Sequence, residues 1–197
     1  MGNNAKELLK TLARTVLGEY SAYYVYASPK QCEGSSHFHF TSQTNMYVRE
    51  VDAAAVSSCA ESLIQEQIGY LGAESHTFAC YVGDQIAGVC IYWFAERYKK
   101  RNFWPLKESE AKLIQIVTVP TMRGKGIAAT LIAASCRDML DKGFSRTYAR
   151  IWHSNTPSIR AFERAGWLRI AIIFEFNPFR RRRPFRICFD LKSQTRK

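Results

Sequence analysis

The chain has 197 residues, 47% of them hydrophobic and 23% charged, with 28 Lys and Arg against 17 Asp and Glu, a net charge of +11. This composition is ordinary for a folded domain and excludes wholesale disorder, and a chain this long builds a core without disulfide or metal staples. The longest run without a charged residue, Gly34 to Val48, is rich in Ser, Thr, Asn and His. That rules out a membrane-spanning helix of ~18 apolar residues.

Asn4 to Leu17 reads as a helix, with Asn4 as cap, an apolar stripe of Leu8, Leu9, Leu12, Val16 and Leu17, and Gly18 as the stop. It lacks the apolar core of a signal peptide, and Lys6 stands where a myristoylation motif wants Ser or Thr. Tyr20 to Ala27 reads as β, and Ser28 to Thr44 as a loop. Met46 to Val51 alternates like a strand. Asp52 then caps a helical stretch to about Leu71, divisible into two helices. Thr77 to Val82, Gly83-Asp84 and Gln85 to Phe94 form a hairpin, since Gly-Asp suits a two-residue primed turn. Tyr98 to Leu106, basic and aromatic, reads as a loop.

Lys112 to Val119 is a β-branched strand stopped by Pro120. Gly126 to Lys142 is a helix closed by Gly143. Arg146 to Trp152 is a strand, and Ser154 or Asn155 caps a helix ending at Gly166. Leu168 to Phe176 and Phe185 to Leu191 form a final hairpin. This order gives a mixed α/β layer domain with at least one right-handed strand-helix-strand unit.

Cys32, Cys59, Cys80, Cys90, Cys136 and Cys188 are far apart, with no Cys-x-x-Cys pair. They read as reduced, buried thiols of a cytoplasmic protein. His37 and His39 have no acid or thiol at ligand spacing, so no metal site is expected. From Asn177 to Lys197 there are eight basic residues and one acid, leaving +4 for the other residues. Such a patch favours an anionic partner, or is a solvated rim that helps to attract one.

The segment with chemical content is Val117-Thr118-Val119-Pro120-Thr121-Met122-Arg123-Gly124-Lys125-Gly126-Ile127-Ala128. A strand ends, a Gly-rich turn follows and a helix begins. Free N–H groups and the helix dipole attract phosphate there, and Arg123 and Lys125 add charge. The spacing fits neither the Walker A loop nor the dinucleotide fingerprint.

This segment resembles the signature of the GNAT superfamily of acyl-CoA-dependent N-acyltransferases. Asn155-Thr156-Pro157-Ser158 through Phe162 to Gly166-Trp167 resembles the second half of that pattern. The resemblance spans about Met46 to Leu191. It implies an acyltransferase domain over 46–197, with 1–45 as an N-terminal extension, and a central mixed, mostly antiparallel twisted sheet flanked by helices. It implies acetyl-CoA as donor and direct attack by a primary amine of a small acceptor, with no acyl-enzyme and no metal. The pyrophosphate would sit on Arg123, Gly124, Lys125, Gly126, Ile127 and Ala128. The pantetheine arm would follow Val117, Thr118 and Val119, reached by Asn155 and Ser158, with Phe162 beside it.

Glu110 and then Glu108 are the candidate bases. Phe162 stands where the family often has a Tyr acid, so Tyr148 or a water takes that role. The basic stretch from Arg97 and the Arg180 to Arg183 hairpin suggest an anionic acceptor. Other readings are transfer of a longer acyl chain from CoA or a carrier protein, or a non-catalytic CoA- or nucleic-acid-binding module. A homodimer is a further implication of the resemblance.

Overall fold

The computed structural model describes residues 20–29, 45–101, 103–177 and 185–191. The expected helix from Asn4, the histidine pair His37 and His39, and the Arg180 to Arg183 turn lie outside them. In chain order the elements are β1 (Tyr20–Ala27), β2 (Met46–Glu50), α1 (Ala53–Ser57), α2 (Ser62–Gln65), a 3-10 turn (Glu66–Tyr70), β3 (Ser75–Val82), β4 (Gln85–Trp93) and α3 (Ala95–Lys99). There follow β5 (Glu110–Thr118), a 3-10 turn (Pro120–Met122), α4 (Ile127–Asp141), β6 (Arg146–Trp152), α5 (Thr156–Arg164), β7 (Leu168–Phe176) and β8 (Phe185–Asp190). The mixed α/β class expected from the element order is what the structure shows. The Asp52 side chain caps α1 by accepting the Ala55 N–H at 2.9 Å.

The chain divides into two compact units. The larger, Tyr26–Ala149 with Thr156–Leu168, holds strands in the hydrogen-bonded order β2-β3-β4-β5-β6. The first three pairings are antiparallel and β5–β6 is parallel, joined through α4 as the strand-helix-strand unit requires. After Gln85, which is exposed, β4 has no charged or amide side chain and is buried to its end, because both its faces are covered. Val89 faces Val56 of α1 and Ile64 of α2. Cys90 and Tyr92 face Ser135 of α4, at 3.3 and 3.0 Å.

One glycine sets how closely these layers approach. A Cβ on Gly88 would lie 2.7 Å from the Val117 carbonyl oxygen and 3.3 Å from Ile127 Cγ2. Gly88→Ala therefore has to push apart the end of β5 and the start of α4. Overpacking of this kind costs about 1–3 kcal/mol. Thermal melting should show a Tm lower by several degrees; an unchanged Tm would mean that β5 yields freely.

Of the described residues, the smaller unit holds 20–25, Arg150–Asn155, 169–177 and 185–191. Its strands neighbour one another in the order β6-β1-β7-β8. Trp152 meets Tyr23 edge-on at 5.5 Å between ring centres, and the Arg150 guanidinium lies 4.7 Å over the Tyr23 ring. β7 and β8 are antiparallel, with Phe174 opposite Ile187 and Phe176 opposite Phe185. No described helix is long and apolar enough to cross a membrane.

Two expectations change. The loop expected from Tyr98 begins inside a helix, α3. Tertiary contacts hold that helix: the Arg97 guanidinium donates to the carbonyls of Ala73 and Leu71 at 3.1 and 2.9 Å, and Tyr98 donates to the Trp104 carbonyl at 2.9 Å. The cysteines are not uniformly buried. Cys80, Cys90 and Cys136 are, but Cys188 is exposed because it lies on β8, exposed along its whole length.

Candidate functional site

β5 ends at Thr118, and Pro120, which has no N–H, turns the chain out of the sheet. Gly124 and Gly126 follow with φ of +79° and +81°, the left-handed region in which a Cβ is strained. These two residues let the chain reverse into α4. That helix begins with no side-chain cap and no acid in its first turn. Its first internal bond is Thr130 N–H to the Gly126 carbonyl at 3.0 Å. The N–H groups of Gly126, Ile127, Ala128 and Ala129 precede that bond and have no acceptor within the helix.

Arg123, Gly124, Lys125 and Gly126 are exposed, and Ile127 anchors the turn in the core. A Cβ at Gly124 or Gly126 would meet no protein atom within 4 Å. The turn thus combines open space, uncapped donors, a positive dipole end and two cations, which fits a phosphate-bearing ligand.

β5 supplies a second feature. Its pairing with β6 runs from Glu110 opposite Arg146 to Leu113 opposite Ala149 and stops there, while β5 continues to Thr118 against β4. At the same point the β4 register jumps. Leu113 faces Tyr92 and Gln115 faces Ile91, so Ile114 is an extra residue, a bulge. A bulge bends a strand and increases its twist, which accounts for the end of the parallel pairing. The strand is buried up to Leu113 and half-exposed from Ile114 to Thr118. Among the described residues no strand pairs with that stretch on the side away from β4.

The Val119 N–H donates to the Ala87 carbonyl at 2.9 Å, so Val119 and Val117 turn their main-chain groups to β4. By alternation, Ile116 and Thr118 turn theirs to the open side. The main-chain groups free to pair with an extended ligand are therefore those of Ile116 and Thr118, rather than those of Val117 and Val119.

Two of the three candidate acids and bases, Glu110 and Tyr148, meet in the larger unit. Glu110 is buried, with 7% exposure, at the start of β5. Its Oε1 accepts the Tyr148 hydroxyl at 2.9 Å and its Oε2 accepts the Lys107 N–H at 2.9 Å. Burial, then the bond to Glu110, pushes the Tyr148 hydroxyl up to about 12. Glu108 is exposed in the turn before β5, outside this arrangement. Lys112 is also buried at 7% exposure, with its ammonium 4.8 Å from the centre of Phe103 and 5.5 Å from that of Tyr98.

The bulge shifts the side-chain alternation. Lys112, Gln115 and Val117 are opposite Trp93, Ile91 and Val89, and so share their face. That face meets the segment from α1 to the 3-10 turn. There Gln115 Nε2 donates to Gln67 Oε1 at 2.9 Å, and the buried Gln67 donates to the Leu63 carbonyl at 2.8 Å. Neither glutamine was singled out in the sequence, although a Gln inside an otherwise β-branched strand was the available signal. A glycine inside the apolar run of β4 was the equivalent signal for Gly88.

Ser158 is half-buried on α5. Phe162 packs between Tyr26 and Trp167, with ring centres at 5.9 and 5.0 Å, and at 2% exposure it supports α5 from within. Asn155 belongs to the smaller unit, where its N–H donates to the Trp152 carbonyl at 2.9 Å. In that unit His153 Nδ1 lies 3.1 Å from the Ala22 carbonyl oxygen. Among the described residues no group of three His, Cys, Asp or Glu is placed to hold a metal ion.

The fold is shared with known structures. A GNAT-family acetyltransferase from Colwellia psychrerythraea superposes with a TM-score of 0.55 at 12% identity, over 86% of this chain and 60% of that one. A protein assigned to the same family from Novosphingobium aromaticivorans gives 0.51 at 13% identity, over 81% and 65%. A conserved protein of unknown function from Staphylococcus epidermidis gives 0.51 at 9% identity, over 88% and 66%. The chain spans less than two thirds of the length of each, and these likenesses speak for the fold alone. No curated protein sequence matches it. The model of the acetyltransferase (GNAT) family matches residues 43–167, more than half of the chain and the whole of the bulged strand, turn and α4, and the chain belongs to that family.

Proposed function

We propose that the protein is an N-acetyltransferase that takes its acyl group from acetyl-CoA and passes it to the primary amine of a small, anionic acceptor. The observation that carries this reading is the uncapped turn at Gly124–Gly126, continuous with an unpaired stretch of β5. One end offers N–H donors and cations to a pyrophosphate. The other offers the main-chain groups of Ile116 and Thr118 to an extended amide-bearing arm, added like a further strand. The domain runs over 46–197 behind an N-terminal extension; the match of the family model over residues 43–167 supports its start.

In this reading the donor's thioester carbonyl lies near the bulge at Ile114. The amine attacks it directly, the tetrahedral intermediate collapses, and the CoA thiolate leaves. No acyl-enzyme forms, in keeping with Cys80 and Cys90, whose thiols burial pushes up to about 12, far from the thiolate form at neutral pH. Glu110 acts as base toward the acceptor ammonium. Tyr148 keeps its proton at neutral pH and either holds Glu110 in place or supplies a proton to the departing thiolate. A thiol of pKa near ~8.5 leaves readily even without an acid. Lys112 and the basic stretch from Arg97 favour negative charge in the acceptor. The buried free thiols suit a reducing cytoplasm.

Isothermal titration with acetyl-CoA, a long-chain acyl-CoA and an acyl carrier protein tests the donor, followed by a thiol-release assay over a panel of amines. Micromolar binding of acetyl-CoA with turnover of an acidic amine is expected. Preference for the long-chain donor would replace acetyl by a longer acyl group, and no binding of any CoA thioester would overturn the reading.

A further inference from the structure

Two glutamines fix each other's orientation and leave one oxygen unused. Gln67, 4% exposed in the 3-10 turn Glu66–Tyr70, donates from Nε2 to the Leu63 carbonyl at 2.8 Å. A carbonyl only accepts, so the nitrogen of Gln67 has to lie there and its oxygen on the other side. That oxygen receives Gln115 Nε2 at 2.9 Å. The two bonds in series therefore orient Gln115 as well, with its nitrogen on Gln67 and its Oε1 turned away. Among the described residues nothing donates to Gln115 Oε1, and that atom is open to solvent.

The place of Gln115 on β5 says what this oxygen can accept. Of the polar side chains that β5 turns to the segment from α1 to the 3-10 turn, Glu110 and Lys112 are buried and Gln115 is half-exposed. It is the first residue beyond the bulge at Ile114, where β5 parts from β6. On the opposite face Leu113 lies across from Tyr92, which reaches Ser135 of α4 at 3.0 Å, so α4 fills that side. In the acyl-transfer reading, on which this inference rests, the thioester lies beside the bulge in an arm paired with the edge of β5. An arm extended like a strand keeps its carbonyl planes near the plane of the sheet. A nucleophile attacks a carbonyl from above or below its plane, so the amine has to come over one face of the sheet. With α4 on one face, it comes over the other, past Gln115.

We propose that Gln115 is the residue that binds the reacting nitrogen of the acceptor. Its Oε1 accepts an N–H of the amine, and Gln67 is the positioning residue that keeps that oxygen turned outward. A neutral amide oxygen suits this task better than a carboxylate does. It holds the amine without the negative charge that would favour the ammonium form and occupy the lone pair. The lone pair forms the C–N bond to the thioester carbon, the C–S electron pair leaves on the CoA sulfur, and one N–H proton ends on that sulfur.

The test is steady-state kinetics with three primary-amine probes, O-phosphoethanolamine, β-alanine and glucosamine 6-phosphate, beside acetyl-CoA titration of the same proteins. In Gln115→Leu the KM for the best of these amines should rise at least about tenfold, with acetyl-CoA affinity and Tm near wild type. Gln115→Glu puts a carboxylate beside the bound nitrogen. The acid limb of its kcat–pH profile should therefore move up by about one pH unit or more, whereas a packing role would leave that limb in place. Gln67→Leu should raise the amine KM without changing acetyl-CoA affinity. Gln67→Glu, kept neutral by burial, has the same donor and acceptor as the glutamine and should restore the KM. Wild-type protein that does not bind acetyl-CoA overturns the donor reading and this inference with it. Acetyl-CoA binding with a KM and a pH limb indifferent to the Gln115 substitutions, or with no transfer to any of the three probes, overturns the assignment of Gln115 and leaves the donor reading standing.

Discussion

Gly126→Asp is expected to lower the affinity for acetyl-CoA, the proposed donor, at least about 100-fold. Two effects contribute, and they are separable. Gly126 has φ of +81°, where most side chains pay roughly 1–2 kcal/mol, while Asn and Asp are better tolerated. A carboxylate at that position also points into the open space that the pyrophosphate would fill. It brings one negative charge against at least two more, at the N–H donors that would otherwise bind the ligand. Gly126→Asn is the control, with the same shape and no charge. Isothermal titration should order the affinities as wild type, then Asn, then Asp, with the two variants melting close together, since both carry the strain of the left-handed φ and neither crowds a protein atom. Equal affinities across the three would take the donor off this turn and leave the bulged strand without its anchor.

Glu110→Gln lowers kcat by about 10²–10³-fold, with donor affinity within about twofold of wild type, if Glu110 is the base. The variant keeps the length of the side chain and one acceptor oxygen, so the bond to Tyr148 can survive. Tyr148→Phe tests the other half of the pair. The Tyr148 hydroxyl is raised above its ordinary value of 10.0, to about 12, so the fold favours its neutral form. The stability this gives is fully present below about pH 10 and is lost as pH rises through about 12. Chemical denaturation between pH 9 and 12 should therefore show the wild type losing stability faster than Tyr148→Phe across that window. Should Glu110→Gln keep kcat but melt earlier, Glu110 serves only to fasten the turn at Lys107 to β5, and the base is a water.

Much of the fold could be read from local signals. Asp52, Gly83-Asp84, Pro120, Gly143 and Gly166 each place a boundary by their own backbone or capping chemistry, independent of the rest of the chain. The phosphate-binding character of the turn is of the same kind, because two glycines, two cations and a helix start lie within six residues. α3 was not legible in this way. Arg97 and Tyr98 hold it by reaching residues distant in the chain or beyond the helix's end, and a basic aromatic stretch has no capping or periodic signal of its own.

Apart from α3, the sequence alone determined the element order, the strand-turn-helix that carries the anion site, and the two carboxylates that are candidates for the base. Only the tertiary structure separated those carboxylates, burying Glu110 against Tyr148 and leaving Glu108 in solvent. It also decided that Ile114 is a bulge, and with it which main-chain groups of β5 stay open and which side chains share the face of Gln67. A bulge is a difference in count between two strands, so neither strand's sequence records it. For the same reason the exposure of Cys188 emerges only once β8 is known to stand last in the strand order.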